Sequence, residues 1–256
     1  MAQDLSAGKS LLDEGRYNQA LKFFEEILKT NPDNTEALNG IARANRLAGD
    51  SMTAIQFYQK SITVNPNQPE VWMSIGNIQY HQKYFPEAAS SFQKAVTLNP
   101  SNPLAHNNLA SVFKEQGIVD KAIYHFKKAF EFDPAYGLAC RNLGDIYLNS
   151  GRPEQAKHWL KIAVKVDPEN LYGHYWLGKA YYQSLEFEKA RDQYFHVLSK
   201  KPNLPSVHHD LGLAFFGMRQ YSLAIHHVNQ AIRGVRTNPF YYLSLSKIHA
   251  GLQDVS

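Results

Sequence analysis

Residues 69–102 read PEVWMSIGNIQYHQKYFPEAASSFQKAVTLNPSN, and the rest of the chain returns to this pattern with a fixed step. Prolines stand at Pro32, Pro66, Pro100, Pro134, Pro168 and Pro202, each 34 residues after the one before. In the same phase run Ala20, Ala54, Ala88, Ala122, Ala156, Ala190 and Ala224. A third column is small (Gly8, Ala42, Gly76, Ala110, Gly144, Gly178, Gly212), and a fourth is large and mostly aromatic (Phe24, Tyr58, Phe92, Phe126, Leu160, Tyr194, Val228). Several columns holding one period of roughly 20–50 residues mark a stacked repeat architecture. Seven units start at residues 1, 35, 69, 103, 137, 171 and 205, and residues 239–256 fit the first half of an eighth.

Inside each unit the apolar residues recur at helical spacing, as at Leu21, Phe24, Ile27 and Leu28. Glycines at 15, 49, 117 and 151 divide each unit in two, at a place where a positive φ costs glycine little. Pro86 and Pro153 fall at the first positions of second helices, where a missing N–H does no harm. The proline column ends each second helix, because proline disfavours helix in the residue before it. The small column lets paired helices approach closely. The pattern therefore predicts an all-α chain. Repeat seven departs from it, with Gly234 inside the second helix and Arg236 in the proline column, so that helix is predicted to stop about one turn early.

Trp72, Ile75, Gly76, Ala88, Phe92 and Pro100 resemble the tetratricopeptide repeat, whose pattern is W-x2-L-G-x2-Y, then A-x3-F, then P. The resemblance covers essentially the whole chain. It implies one domain over 1–256, a right-handed superhelical solenoid of seven helix-turn-helix repeats plus a C-terminal helix at 239–256. In such folds each unit touches its neighbours and the stack leaves a long concave surface. The function implied is a non-enzymatic scaffold or adaptor that binds an extended or helical segment of a partner protein in its groove. The alternatives are a self-assembling structural protein, or the regulatory array of a longer enzyme such as a glycosyltransferase.

Composition narrows the field. With 44% hydrophobic and 20% charged residues the chain is globular and not disordered. A net charge of +4 falls short of the clustered Lys and Arg of a dedicated nucleic-acid binder. Repeat seven, for example, carries only Arg219, Arg233 and Arg236 as fixed cations. A single cysteine, Cys140, excludes an internal disulfide framework and reads as an inert packed thiol. No apolar run reaches the roughly 18–20 residues that span a bilayer. The start, Met1-Ala2-Gln3-Asp4, shows no signal peptide and the end, Asp254-Val255-Ser256, no prenylation box, so the expected compartment is cytoplasmic, or periplasmic if a leader has been removed.

No nucleophile elbow, P-loop, dinucleotide fingerprint or kinase signature is present, so no catalytic residue and no cofactor are expected. The doublets His208-His209 and His226-His227 point about 100° apart on a helix, which suits packing better than chelation. His106, His174 and His208 share position four of their repeats, the usual Trp position, and read as packed side chains.

The family resemblance places the ligand on positions 2, 5, 6, 9, 12 and 13 of each first helix, which share one face by their spacing. The early repeats offer Asn39 and Arg43 there, and the middle offers Asn77, Asn107, Asn108, Arg141, Asn142 and Asp145. Repeat six offers Tyr172, Tyr175, Trp176, Lys179 and Tyr182, and repeat seven adds His209 and Asp210. An Asn amide both donates and accepts, so Asn108 and Asn142, one repeat apart, are expected to hold the backbone of an extended peptide. The aromatics of repeat six are expected to anchor a partner. The carboxylate clamp of chaperone-binding relatives needs three cations, but Met73, Leu138 and Asn142 stand in their places, so that function does not carry over.

The last helix is apolar on more than one stripe: Phe240, Tyr241, Tyr242, Leu243, Leu245, Ile248 and Leu252. Terminal repeats need a polar outer face. Phe240, Tyr241, Tyr242 and Leu245 are therefore expected to meet either a continuation of the chain or a second copy, giving a homodimer.

Overall fold

The computed structural model describes residues 5–253, so the terminal tetrapeptide and Asp254-Val255-Ser256 lie outside the described residues. Fifteen α-helices and no strand are found among the described residues. They follow one another in pairs: α1 (Ser6–Asp13) with α2 (Tyr17–Thr30), α3 (Thr35–Leu47) with α4 (Ser51–Val64), and α5 (Pro69–His81) with α6 (Phe85–Leu98). Next come α7 (Pro103–Glu115) with α8 (Val119–Phe132), α9 (Gly137–Asn149) with α10 (Pro153–Val166), and α11 (Leu171–Gln183) with α12 (Phe187–Lys200). The last are α13 (Pro205–Gly217), α14 (Tyr221–Gly234) and α15 (Pro239–Gln253). The chain forms two compact units, one ending at His125 and one beginning at Phe126.

In the pairs whose small column is glycine, a knob sits on a bare patch. The ring of Phe92 lies so close to Gly76 that an added Cβ would sit 2.7 Å from it. Leu160 covers Gly144 and Tyr194 covers Gly178 in the same way, at 2.3 and 2.6 Å. Phe24, Phe92, Leu160 and Tyr194 are accordingly buried. Asn34, Asn102 and Asn170 share one column and cap α3, α7 and α11, their Oδ1 atoms accepting from N–H groups of the first turn.

The turn between paired helices needs a left-handed residue. Gly15, Gly49, Gly117 and Gly151 supply it, but the same column holds Lys83, Leu185 and Arg219 at φ 63°, 60° and 58°. A non-glycine residue there costs about 1–2 kcal/mol. Leu185 is 73% exposed and loses little packing on truncation. Leu185→Gly is expected to raise stability by up to about 1 kcal/mol after glycine's larger entropy loss is counted. A urea midpoint that moves upward checks this.

In α5, α7, α11 and α13 position four carries a hook that joins the helix to the preceding proline column. Trp72 Nε1 donates to the Pro66 carbonyl (3.3 Å), and His106, His174 and His208 place Nε2 at 3.0, 2.9 and 2.9 Å from the carbonyls of Pro100, Pro168 and Pro202. In α15 the hydroxyl of Tyr242 donates to the Arg236 carbonyl (3.0 Å) over the same six residues. A carbonyl can only accept, so Nε2 of each histidine carries the proton and a neutral ring offers Nδ1 as acceptor. His125 Nδ1 meets that atom in His106 (2.9 Å) and His227 Nδ1 meets it in His208 (3.1 Å). Beside His174 the equivalent place holds Gln193, whose Oε1 lies 2.7 Å from Nδ1; an amide oxygen only accepts, so with Nε2 also donating both ring nitrogens of His174 act as donors.

Burial, and then the charge of the paired ring, pulls His125 and His227 down to about 4. The native state thus keeps them neutral while the unfolded chain protonates them below its own value of 6.5. Their contribution to stability is complete above pH 6.5 and is lost as pH falls toward 4. The melting temperature is expected to drop from pH 7 to 5, and the double variant His125→Gln/His227→Gln should flatten that slope. Glutamine already serves at this position in repeat six. An unchanged slope would remove the two rings as its cause.

The second helix of repeat seven does not stop early. α14 runs to Gly234, the same 14 residues as α12. Gly234 is there for close approach, since an added Cβ would meet Pro205 Cγ at 2.4 Å. A glycine in the last turn weakens the helix too little to end it.

Candidate functional site

The first-helix face divides its expected residues into those that remain open and those taken up by the fold. In the first unit Asn39 donates to Gln68 Oε1 (2.8 Å), and Gln68 in turn donates to the Ser61 and Asn65 carbonyls. Asn39 therefore braces the loop before α5. Arg43 forms an exposed ion pair with Asp13 at 2.9 Å. Asn107 is 4% exposed and does not lie on the open face, because position five of α7 turns inward. Its amide donates to Asn108 Oδ1 (3.2 Å), and Asn108 donates to Asn77 Oδ1 (3.0 Å). That bond uses one of the two amide N–H groups of Asn108. A hollow of about 180 Å³ opens beside this chain, lined by Asn77, Tyr80, His81, Phe92, Asn108 and Ser111.

The second unit brings more of the expected residues together. Tyr172 is 68% exposed, with the Arg141 guanidinium 6.0 Å from its ring centre. Asp145 accepts from Asn149 on its own helix (3.0 Å). Asn142 is half-buried on α9. Tyr175 and Trp176 meet edge to face at 5.6 Å, and the Lys179 ammonium stands 5.6 and 5.0 Å from their ring centres. These distances lie within the range of cation–π attraction.

A polar chain then crosses three first helices. Tyr175 donates to Asp210 Oδ2 (2.9 Å), His209 Nδ1 lies 3.3 Å from Asp210 Oδ1, and His209 Nε2 lies 2.8 Å from Ser244 Oγ. Two of these links join position five of one repeat to position six of the next. Ser244 escaped the sequence reading, although it continues the column of Asn108, Asn142, Trp176 and Asp210. Serine, histidine and aspartate in this order have triad geometry, but Ser244 sits mid-helix in α15, where its own N–H is committed to the helix. The chain thus lacks the turn that exposes a serine nucleophile. It serves to fix the Asp210 carboxylate. Beside Asp210 is a hollow of about 170 Å³ lined by Lys179, Tyr182, Gln183, Tyr194 and Leu213.

Cys140 is fully buried and burial pushes its thiol up to about 12, which leaves no nucleophilic thiolate near neutral pH. Among the described residues no group of three or more His, Cys, Asp and Glu side chains is placed to hold a metal ion. No helix among them is long and apolar enough to cross a membrane.

In α15, Phe240 and Tyr242 are 69% and 48% exposed and Leu245 is half-buried. Tyr241, expected on the same open surface, is 7% exposed instead, its ring packed 4.8 Å from that of His209. It occupies position three, which is buried in every earlier repeat from Ala37 to Val207.

Residues 11–78 match a family profile described as tetratricopeptide repeat, and residues 76–117 and 144–184 match another described as TPR repeat. No curated protein matches the chain. Among solved structures, the C-terminal part of a TPR repeat-containing protein from Cytophaga hutchinsonii aligns with a TM-score of 0.75 at 15% identity, covering 94% of this chain and 99% of that one. YrrB, described as a TPR protein with an unusual peptide-binding site, aligns at 0.65 and 17% identity over 73% of this chain and 96% of its own. The chain of the APC/C hetero-tetramer Cut9-Hcn1 aligns at 0.66 and 17% identity over 94% of this chain, which spans about half (48%) of that longer one. At these identities the likeness is one of fold.

Proposed function

The chain belongs to the tetratricopeptide repeat family, whose members typically mediate protein–protein interactions, and from that premise we propose that it is a non-enzymatic adaptor holding an extended or helical segment of a partner protein on its first-helix face. The observation that carries this reading is the aromatic cluster of α11, where Tyr172 is largely open and Trp176 is half-buried. Rigid amphipathic rings left partly in water, beside polar groups already fixed by hydrogen bonds, are the usual anchors of an interface. The Asn107–Asn108–Asn77 chain of the first unit supports it, because it holds amide donors in place for a peptide backbone.

Selection of a random peptide library on the whole protein tests the proposal. Recovered peptides should bind wild type and lose affinity to the triple variant Asn108→Ala/Asn142→Ala/Trp176→Ala. Peptides that bind both proteins equally would move the site off this face.

A second reading, self-association through α15, is favoured by one observation. Phe240, Tyr242 and Leu243 stay 69%, 48% and 53% exposed, although Tyr242 makes the hook of an ordinary repeat. Sedimentation of wild type and Leu245→Asp over a concentration series tests it. A wild type that stays monomeric would end this reading.

A further inference from the structure

Resting on a partner segment held along the first-helix face, we propose that the hollow beside Asp210 receives the cationic side chain of an arginine or lysine in that segment. The carboxylate is held in place by Tyr175 and His209, which supply donors to both of its oxygens, and no lysine or arginine among the described residues pairs with it. Its side chain is 19% exposed, so its charge is only partly screened by water.

The walls of the hollow are Tyr182 and Tyr194, with Tyr175 and Trp176 next to them. Aromatic faces beside a fixed carboxylate attract a cation and repel an anion. Burial, and after it the Asp210 charge, pushes the hydroxyls of Tyr175, Tyr182 and Tyr194 upward.

The protein already seats one cation here. The Lys179 ammonium has no carboxylate within ion-pair distance among the described residues, yet it stands over the Tyr175 and Trp176 rings and lines the same hollow. It stands in for the ligand's ammonium or guanidinium and is displaced when the ligand enters. A guanidinium suits the carboxylate and can also stack on the rings.

The test uses the whole chain and two capped pentapeptides, Ala-Ala-Arg-Ala-Ala and the same peptide with citrulline, the neutral isostere of arginine. Binding is read from the Trp176 indole N–H signal by NMR titration at millimolar peptide. The arginine peptide should bind about tenfold more tightly, the scale of one charge-assisted hydrogen bond. Asp210→Asn, which can still accept from Tyr175, should bring it down to the citrulline level. Lys179→Met should tighten it by removing the competing ammonium. Equal binding of the two peptides, no binding of either, or a preference that survives Asp210→Asn would overturn the proposal. So would tighter binding of the matching glutamate peptide that depends on Lys179. The groove reading fails separately, if selected peptides ignore the triple variant. Peptides that depend on Trp176 but show no basic preference would leave that reading standing and sink this one.

Discussion

Phe92→Ala is expected to lower the stability of the first unit by about 3–5 kcal/mol, the usual range for a buried phenylalanine truncated in a core. Phe92 is 1% exposed and packs with Met73, Ala88, Ala95, Val96, Ala105, Leu109 and Val112. The site collapses poorly for a specific reason: the wall opposite the ring is Gly76, which has no side chain to move into the gap. Phe92→Leu should cost far less, about 1 kcal/mol, because a leucine, Leu160, already covers the matching Gly144. Repeats are stabilised mainly through nearest neighbours, so the loss should be local. Hydrogen exchange in Phe92→Ala should quicken over α5 to α7 and change little in α11 to α14. Exchange that rises evenly along the chain would contradict the repeat-by-repeat account of its stability.

The second large effect concerns recognition. Trp176→Ala is expected to weaken binding of a selected groove peptide by at least about 2 kcal/mol, roughly thirtyfold. The indole is half-buried, fixed at one edge by Tyr175, and carries the Lys179 ammonium over its face. Its removal takes away an anchor and also frees Tyr175 and Lys179 to move. Trp176→Phe should recover part of the affinity, since it restores a ring but a smaller one. Thermal melting of Trp176→Ala should stay near wild type, because the side chain makes no core contact comparable to that of Tyr194, which is 1% exposed. Unchanged affinity in a well-folded Trp176→Ala would show that α11 does not anchor the peptide.

Part of the expected face is legible in the sequence. The 34-residue period assigns Tyr175, Trp176, Lys179, Tyr182 and Asp210 to positions that the structure places around one hollow or beside it. Where the reading failed, a neighbouring element had decided. Asn39 shares its column with Tyr175, yet Gln68 captures it from the next loop. Asn107 and Arg141 share that column too, and one is buried while the other is not. Gly234 looked like a helix breaker because propensity is a local quantity, whereas its need is set by Pro205 on another helix.

The helix pairs and their boundaries at glycine and proline, repeat seven excepted, were legible in the sequence alone. These follow from spacing along one chain: apolar residues three and four apart, a small column opposite a large one, and prolines that end helices. Tertiary structure alone decided which polar side chains remain available. Tyr175 reaches Asp210, and His209 reaches Ser244, only because successive first helices lie side by side with position five of one against position six of the next. A hydrogen bond depends on a few tenths of an ångström and on direction, and periodicity in one dimension fixes neither.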